Sequence, residues 1–310
     1  MRQKIDLIIP VYKNKKSDLN RLLNSIADQN RTSFSDLNIY IVLNPANASE
    51  ASEFKSKLSK QLPVHLLNSE HPGVNAARQM GLENSQSEIV FFFDDDVILN
   101  DPAILEKHFE QHSKNPDLFA VGGCYHNAES NHLFAEVYVQ RQVRWLNQAY
   151  LDSSRTQVAY LLGGHFSIKR SVLSSQNISF DQKIIFGSSE TDFFLSAFSK
   201  GLPMHLIKSS VEHDIKDSFF RLGMKSYLQG RGKKYIETKN LFFRPIYKSI
   251  VLKQSFGKDF AESVFEFLFF LGYYSYDKNY RGLVGMYFQR LKLFLSHQKQ
   301  KTINFIRNDL

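Results

Sequence analysis

Three consecutive aspartates, Asp94, Asp95 and Asp96, follow directly on Phe91, Phe92 and Phe93. Carboxylates this close repel one another, and a divalent cation with oxygen ligands relieves the repulsion; such a cation can in turn hold a diphosphate. The chemistry to which the triplet points is metal-assisted departure of a nucleoside diphosphate. A solvated acidic turn is the plainer reading of the three residues taken alone. A second pair of acids, Glu190 and Asp192, stands in Gly187-Ser188-Ser189-Glu190-Thr191-Asp192-Phe193. A positioned carboxylate can take the proton of an attacking hydroxyl, although acids in such a pattern also start ordinary helices. Gln229-Gly230-Arg231-Gly232-Lys233-Lys234-Tyr235 combines glycines with cations. That suits a mobile cover over a departing diphosphate, or else a solvated helix end.

The elements that must position these groups read as alternating strands and helices. Glu88 to Phe93 has no polar alternation, as in a strand buried on both faces of a parallel sheet. Asp6 to Val11, Leu37 to Leu43 and Val64 to Leu67 read as further strands. Helices are expected from Asp18 to Gln29, with Leu19, Leu22, Leu23 and Ile26 on one face, from Ser49 to Gln61 and from Val74 to Asn84. This order predicts an α/β fold with a doubly wound, mainly parallel sheet, and ligands in such sheets sit at the carboxyl ends of the strands. The triplet lies at such an end. The span from Cys124 to Ala159 reads as irregular, and the chain after Asp214 as helical and aromatic. The expected division is a catalytic domain over 1–235, in halves 1–123 and 124–235, and a basic helical extension over 236–310.

The 310 residues can bury a full core. The single cysteine, Cys124, excludes an internal disulfide framework and a cysteine-rich zinc site. No segment reaches the ~20 apolar residues of a membrane span, and the N-terminal apolar run, interrupted by Asp6, is too short for a signal peptide, so a cytoplasmic location is expected. No GxGxxG follows the first strand, which argues against a dinucleotide site or a P-loop. The net charge of +8 is uneven: from Arg221 onward 17 Lys and Arg stand against 6 Asp and Glu, and before it 22 against 25. A basic C-terminal third suits an anionic partner. No nucleic-acid-binding motif accompanies it, and nucleic acid is not expected as that partner.

Four segments in order resemble the family 2 glycosyltransferases of GT-A fold. They are DLIIPVYKN, HPGVNAARQMGLENSQSEIVFFFDDDV, LLGGHFSIKRSVL and FGSSETDFFLSAFSKGLP, which lie between Asp6 and Pro203, and the resemblance covers roughly residues 5 to 235. The resemblance implies a nucleotide-diphospho-sugar transferase fold, a Mn²⁺ or Mg²⁺ cofactor, and a UDP- or GDP-sugar donor. Asp96 is then a metal ligand, with His213 completing the site, and Asp94 serves the ribose or a metal-bound water. Strand alternation turns Asp95 away, though it is grouped with the nucleotide-facing residues. Pro10 and Tyr12 lie in the turn after the first strand, where Lys13 replaces a usual Asn. Arg78 faces the nucleotide, and Gly73 lets backbone approach substrate. Asn44 stands where the family carries a base-reading Asp, and Arg231 and Lys233 meet the diphosphate. Glu190 takes the base position and Asp192 is the second choice for it. Gly164, His165 and Trp145 are assigned to the acceptor side.

The expected activity is metal-dependent transfer of a sugar to a saccharide or lipid-linked acceptor, with inversion, in the synthesis of bacterial surface polysaccharide or glycoconjugate. A nucleotidyltransferase and an inactive saccharide-binding protein are the alternatives. The aromatic stretch from Phe260 to Tyr274, flanked by Lys253, Lys258, Lys278 and Arg281, reads either as membrane docking at the inner face or as packing on the domain or a homodimer.

Overall fold

The computed structural model describes residues 3–12, 16–44, 62–129, 132–185, 187–239 and 256–285. The helix expected from Ser49 to Gln61 and the residues Lys13 and Lys253 lie outside them. The strands are β1 (Lys4–Tyr12), β2 (Asp36–Asn44), β3 (Val64–Asn68), β4 (Ile89–Phe93), β5 (Val97–Ile98), β6 (Ala120–Asn127), β7 (His165–Lys169) and β8 (Met204–His213). The helices are α1 (Lys16–Ala27), α2 (Val74–Asn84), α3 (Ile104–Lys114), α4 (Leu133–Asn147), α5 (Arg170–Gln176), α6 (Ser189–Ser199), α7 (Phe219–Lys239) and α8 (Phe256–Tyr276).

One sheet carries all eight strands in the order β3-β2-β1-β4-β7-β6-β8-β5. β3, β2, β1 and β4 run parallel, so their carboxyl ends share one edge. The second half is mixed: β7 is antiparallel to both β4 and β6, and β5 is antiparallel to β8. Every residue of β4 is buried, as its unbroken apolar sequence requires in a strand covered on both faces. Phe92 stacks on Phe166 at 4.6 Å, so the two halves share one core across the β4–β7 seam. Asp6, a fully buried charge on β1, accepts hydrogen bonds from Asn38 Nδ2 (3.0 Å) and the backbone N–H groups of Gln86 (2.7 Å) and Ser87 (2.9 Å). A buried carboxylate persists only with such partners, and these three pin the approach to β4.

Two expectations change. The span from Cys124 to Ala159 is not irregular throughout, because β6 continues to Asn127 and α4 occupies 133–147. The buried face of α4 includes Arg141, which interrupts the apolar period and is matched by Glu262 of α8 at 3.6 Å. Helix α7, Phe219–Lys239, also runs through the expected boundary at 235. Helices α7 and α8 lie backbone to backbone: a Cβ on Gly230 would sit 1.9 Å from the Phe269 carbonyl oxygen, and one on Gly272 would sit 1.9 Å from that of Tyr227. Phe265, Phe269, Phe270 and Tyr273 are buried by this packing, while Phe260 and Phe267 remain exposed. Among the described residues no helix is long and apolar enough to cross a membrane.

Candidate functional site

The site is organised by one guanidinium. Arg78 comes from α2, where Ala76 and Ala77 are small enough to let the helix lie close on the sheet, and it is 2 % exposed. Its Nη2 donates to Asp94 Oδ1 (3.0 Å) and to the Gly163 carbonyl (2.8 Å). Its Nη1 donates to Ser189 Oγ (3.4 Å) and lies 3.8 Å from Glu190 Oε2. Ser189 Oγ in turn donates to Glu190 Oε2 at 2.9 Å. Asp94 after β4 and Glu190 at the start of α6, almost a hundred residues apart, are therefore held by the same cation. Gly163 and Gly164 make this possible, because a Cβ on Gly163 would lie 2.8 Å from Arg78 Nη2 and one on Gly164 2.7 Å from Asp94 Oδ2. Gly164, assigned to the acceptor side, packs against the protein's own Asp94 and Tyr125.

Tyr125 of β6 closes the same wall. Its hydroxyl accepts from the Gly164 N–H at 2.6 Å, and its ring lies 4.6 Å from that of His213. Burial, with the charges of Asp94 and Glu190, pushes the Tyr125 hydroxyl well above the usual phenol range, so it stays neutral. Desolvation pushes the Asp94 carboxyl up; Arg78 opposes this and the charge of Asp96 adds to it. A cation placed here would relieve both effects.

Asp96 and His213 meet Oδ1 to Nε2 at 3.3 Å, both buried, where β5 pairs with the end of β8. Asp96 and His213, in the neighbourhood of Asp94, are the residues that could hold a divalent cation. Among the described residues no three His, Cys, Asp or Glu side chains are grouped so that they could hold a metal ion between them.

The other expected site residues are dispersed. Pro10 is buried in β1 and pairs with Val42, and Tyr12 pairs with Asn44 at the same edge; the side chains of Tyr12 and Asn44 lie outside what is described. Asp95 is buried between its neighbours. Asp192 points away from Arg78 and is held by Lys239 at 2.8 Å. Gly73 admits protein rather than substrate, since its missing Cβ would lie 2.8 Å from Ile185 Cα.

His165 does not reach the acceptor side. In β7 a step of one residue reverses the face, so with Gly164 toward the site His165 turns inward. There it has no exposed surface and lies 3.1 Å from His108 Nε2. The segment Gln229 to Tyr235 is not a mobile cover but the interior of α7. Arg231 is exposed, near Tyr276, whereas Lys233 is buried against Thr191, Tyr160 and Trp145. Trp145 thus stands beside the second acidic cluster, and its carbonyl accepts from the Tyr160 hydroxyl at 2.5 Å. Sequence reading missed Tyr125 and Ser189. Neither sits in a pattern of its own; the run Ser188-Ser189 before Glu190 was the one available hint. A surface cleft of about 860 Å³, lined by Asp101, Cys124, Arg155 and Lys208 among others, shares no residue with this site.

A mixed sheet of this order, with an aspartate cluster at the strand ends and a second acid facing it, defines a GT-A glycosyltransferase. The family described as glycosyl transferase family 2 matches residues 6–175, and the chain belongs to it. It is 24 % identical over 253 residues to poly(ribitol-phosphate) beta-N-acetylglucosaminyltransferase TarP of Staphylococcus aureus, covering 81 % of this chain and 74 % of that protein. The solved structure of residues 1–349 of S. aureus TarS superimposes with a TM-score of 0.55 at 16 % identity, over 92 % of this chain and 91 % of that one. The mannosyltransferase PcManGT of Pyrobaculum calidifontis, in complex with GDP-Man and Mn²⁺, superimposes with a TM-score of 0.56 at 13 % identity, over 95 % and 81 %.

Proposed function

We propose that the protein moves a sugar from a nucleoside diphosphate sugar to a hydroxyl of a saccharide or lipid-linked acceptor, by single displacement with inversion. One arrangement supports this above all: Arg78 holds Asp94, on the donor side, and Glu190, on the acceptor side, at 3.0 and 3.8 Å. Asp96 and His213, with Asp94 beside them, would hold a divalent cation, whose chemistry there is Lewis-acid assistance to the departing diphosphate. Glu190 is the general base. Ser189 and Arg78 fix one of its oxygens, and the carboxylate takes the acceptor proton as the hydroxyl attacks. Asp192 is engaged by Lys239 and anchors α7 to α6. With Glu190 as the general base and Asp94 held by Arg78, single displacement with inversion is the expected course.

The test is a donor panel with Mn²⁺ and with Mg²⁺, beginning with UDP- and GDP-sugars. The acceptor panel includes poly(ribitol phosphate), the polymer in the name of the S. aureus relative. Release of nucleoside diphosphate with an inverted anomeric product is expected from one pair. Release of pyrophosphate, or donor binding without turnover on any acceptor, would sink the reading.

A further inference from the structure

We propose that Arg21 is a positioning residue for the cation site, its guanidinium holding the residues on both sides of His213 so that the imidazole is turned toward Asp96. The inference rests on the reading of Asp96 and His213 as residues that hold a divalent cation.

His213 ends β8, with an acid on either side of it in the chain, Glu212 and Asp214. Side chains alternate along extended chain, so the two acids project one way and the histidine the other. Arg21 of α1 meets both acids. Its Nη1 donates to Asp214 Oδ2, and its Nη2 lies 3.7 Å from Glu212 Oε1. A planar fork can span two carboxylates in this way, whereas a lysine meets them as a single point charge. On the histidine's own side, the Tyr125 ring lies 4.6 Å from the imidazole, and Asp96 Oδ1 lies 3.3 Å from its Nε2. The Asp214 N–H donates to the Asp96 carbonyl at 2.9 Å. The chain at Asp96 is therefore tied to the same residue whose side chain Arg21 holds.

The fork acts from a fixed base. Helix α1 buries Leu19, Leu22, Leu23 and Ile26. Its Ser25 Oγ accepts from the Leu99 N–H at 3.1 Å, just beyond β5, and Gln29 Nε2, just past the helix, donates to the Asp101 carbonyl at 3.0 Å. These contacts attach α1 to the β5 side of the site without Arg21. A second cation supports the buried Asp214: Lys216 Nζ lies 3.3 Å from it and also pairs with Asp18 of α1. Lys216 and Arg21 thus carry the same charge to the same carboxylate, but Arg21 also reaches the other neighbour of His213.

Charge and position make opposite demands on Arg21. By charge alone, a cation this near the site repels a metal ion, and its removal would tighten metal binding. As a positioning residue its removal weakens binding, since groups that orient metal-ligating side chains are worth about 10–100-fold in affinity. The sign of the change decides between the two.

The test is a titration of the full-length protein with Mn²⁺, the free ion being read by its EPR signal. Asp96→Ala marks the site: Mn²⁺ that wild type does not bind at millimolar concentration, or that Asp96→Ala binds equally well, removes the cation reading and the proposal with it. Arg21→Met is expected to bind about tenfold more weakly than wild type. Arg21→Lys is expected to recover part of that loss, and Lys216→Met to bind as tightly as wild type or more tightly. Unchanged or tighter binding by Arg21→Met overturns the proposal alone. An equal loss in Lys216→Met also overturns it, because the effect is then general to the ion-pair network. Thermal unfolding is followed for each variant. Where Arg21→Met is unfolded at the assay temperature, Arg21→Lys decides: weaker binding supports the proposal, and wild-type binding overturns it.

Discussion

Gly164 and His165 are adjacent in the chain and serve opposite faces of the same sheet. On the Gly164 face, Asp94, Glu190 and Arg78 are charged, paired with one another, and partly open, with the acid side chains 30 % and 25 % exposed. On the His165 face, three histidines and a serine are closed off entirely. His108 meets His165 at 3.1 Å and Ser167 Oγ at 2.8 Å, and His112 meets the same oxygen at 2.9 Å. Burial lowers His108 well below the usual histidine range, and it takes His112 to about 3 and His165 to about 4, so the cluster is neutral. The two faces solve the same problem of placing polar groups inside a protein in different ways. The closed face removes the charge and pairs its neutral rings with one another and with Ser167. The open face keeps its charges, balances them in pairs and leaves them a way out to solvent, which is what a reacting site needs. Residue type alone therefore does not separate a working histidine from a structural one; the face it occupies does.

The contrast can be broken most severely at its charged pole. Glu190→Gln is expected to lower kcat by roughly 10²–10⁴-fold with donor binding kept, measured by steady-state transfer and donor titration. Arg78→Met is expected to lose activity and also about 3–5 kcal/mol of stability, since Asp94 and Glu190 would face each other uncompensated; denaturant unfolding reads the second effect. Asp96→Ala is expected to abolish metal-dependent turnover while leaving the fold intact. Turnover unchanged in this variant would take the residue out of the mechanism.

The closed pole should respond to acid rather than to substrate. Its histidines bind protons in the unfolded chain below the usual value of 6.5, but in the folded chain only near 4 for His165 and 3 for His112. Stability is therefore fully present above pH 6.5 and is lost as the pH falls from 6.5 toward those values, by a few kcal/mol per histidine. A melting temperature constant from pH 6.5 down to 4 would contradict the neutral cluster. The smallest effect is expected from His165→Leu: acceptor KM and kcat within about twofold, and a loss of about 1–3 kcal/mol from the unpaired His108 nitrogen.

The legibility of the sequence divides along the same line. The strands β1 to β4 and the helices α1 and α2 were readable from their apolar patterns, and α2 was delimited to the residue, whereas α3 was not foreseen. Asp94, Asp96 and Glu190 were singled out by their motifs, although acids at strand and helix ends also serve as turns and helix starts. Arg78 was read as facing the nucleotide but not as the group that joins Asp94 to Glu190, since α2, β4 and α6 meet only in the fold, a long-range arrangement with no local trace. Helix α4 was missed because its buried face includes Arg141, whose compensating Glu262 lies more than a hundred residues away. The glycines of α7 were misread as mobility because a glycine in sequence signals either freedom or proximity, and here the backbones of Phe269 and Gly187 occupy the space.

The contact of Gly230 and Gly272 has a consequence for how this chain can change. An appendage joined by side chains can be exchanged, shortened or remodelled while the remainder goes on working. One fitted carbonyl to α-carbon has no such tolerance, since any larger residue at either position drives two helices apart. As α7 packs on both α8 and the turn that leads to Glu190, a substitution on the inner face of α8 is passed on to that turn. Drift at the C-terminal end and specificity at the reacting end are therefore expected to evolve together, as one trait rather than two modules.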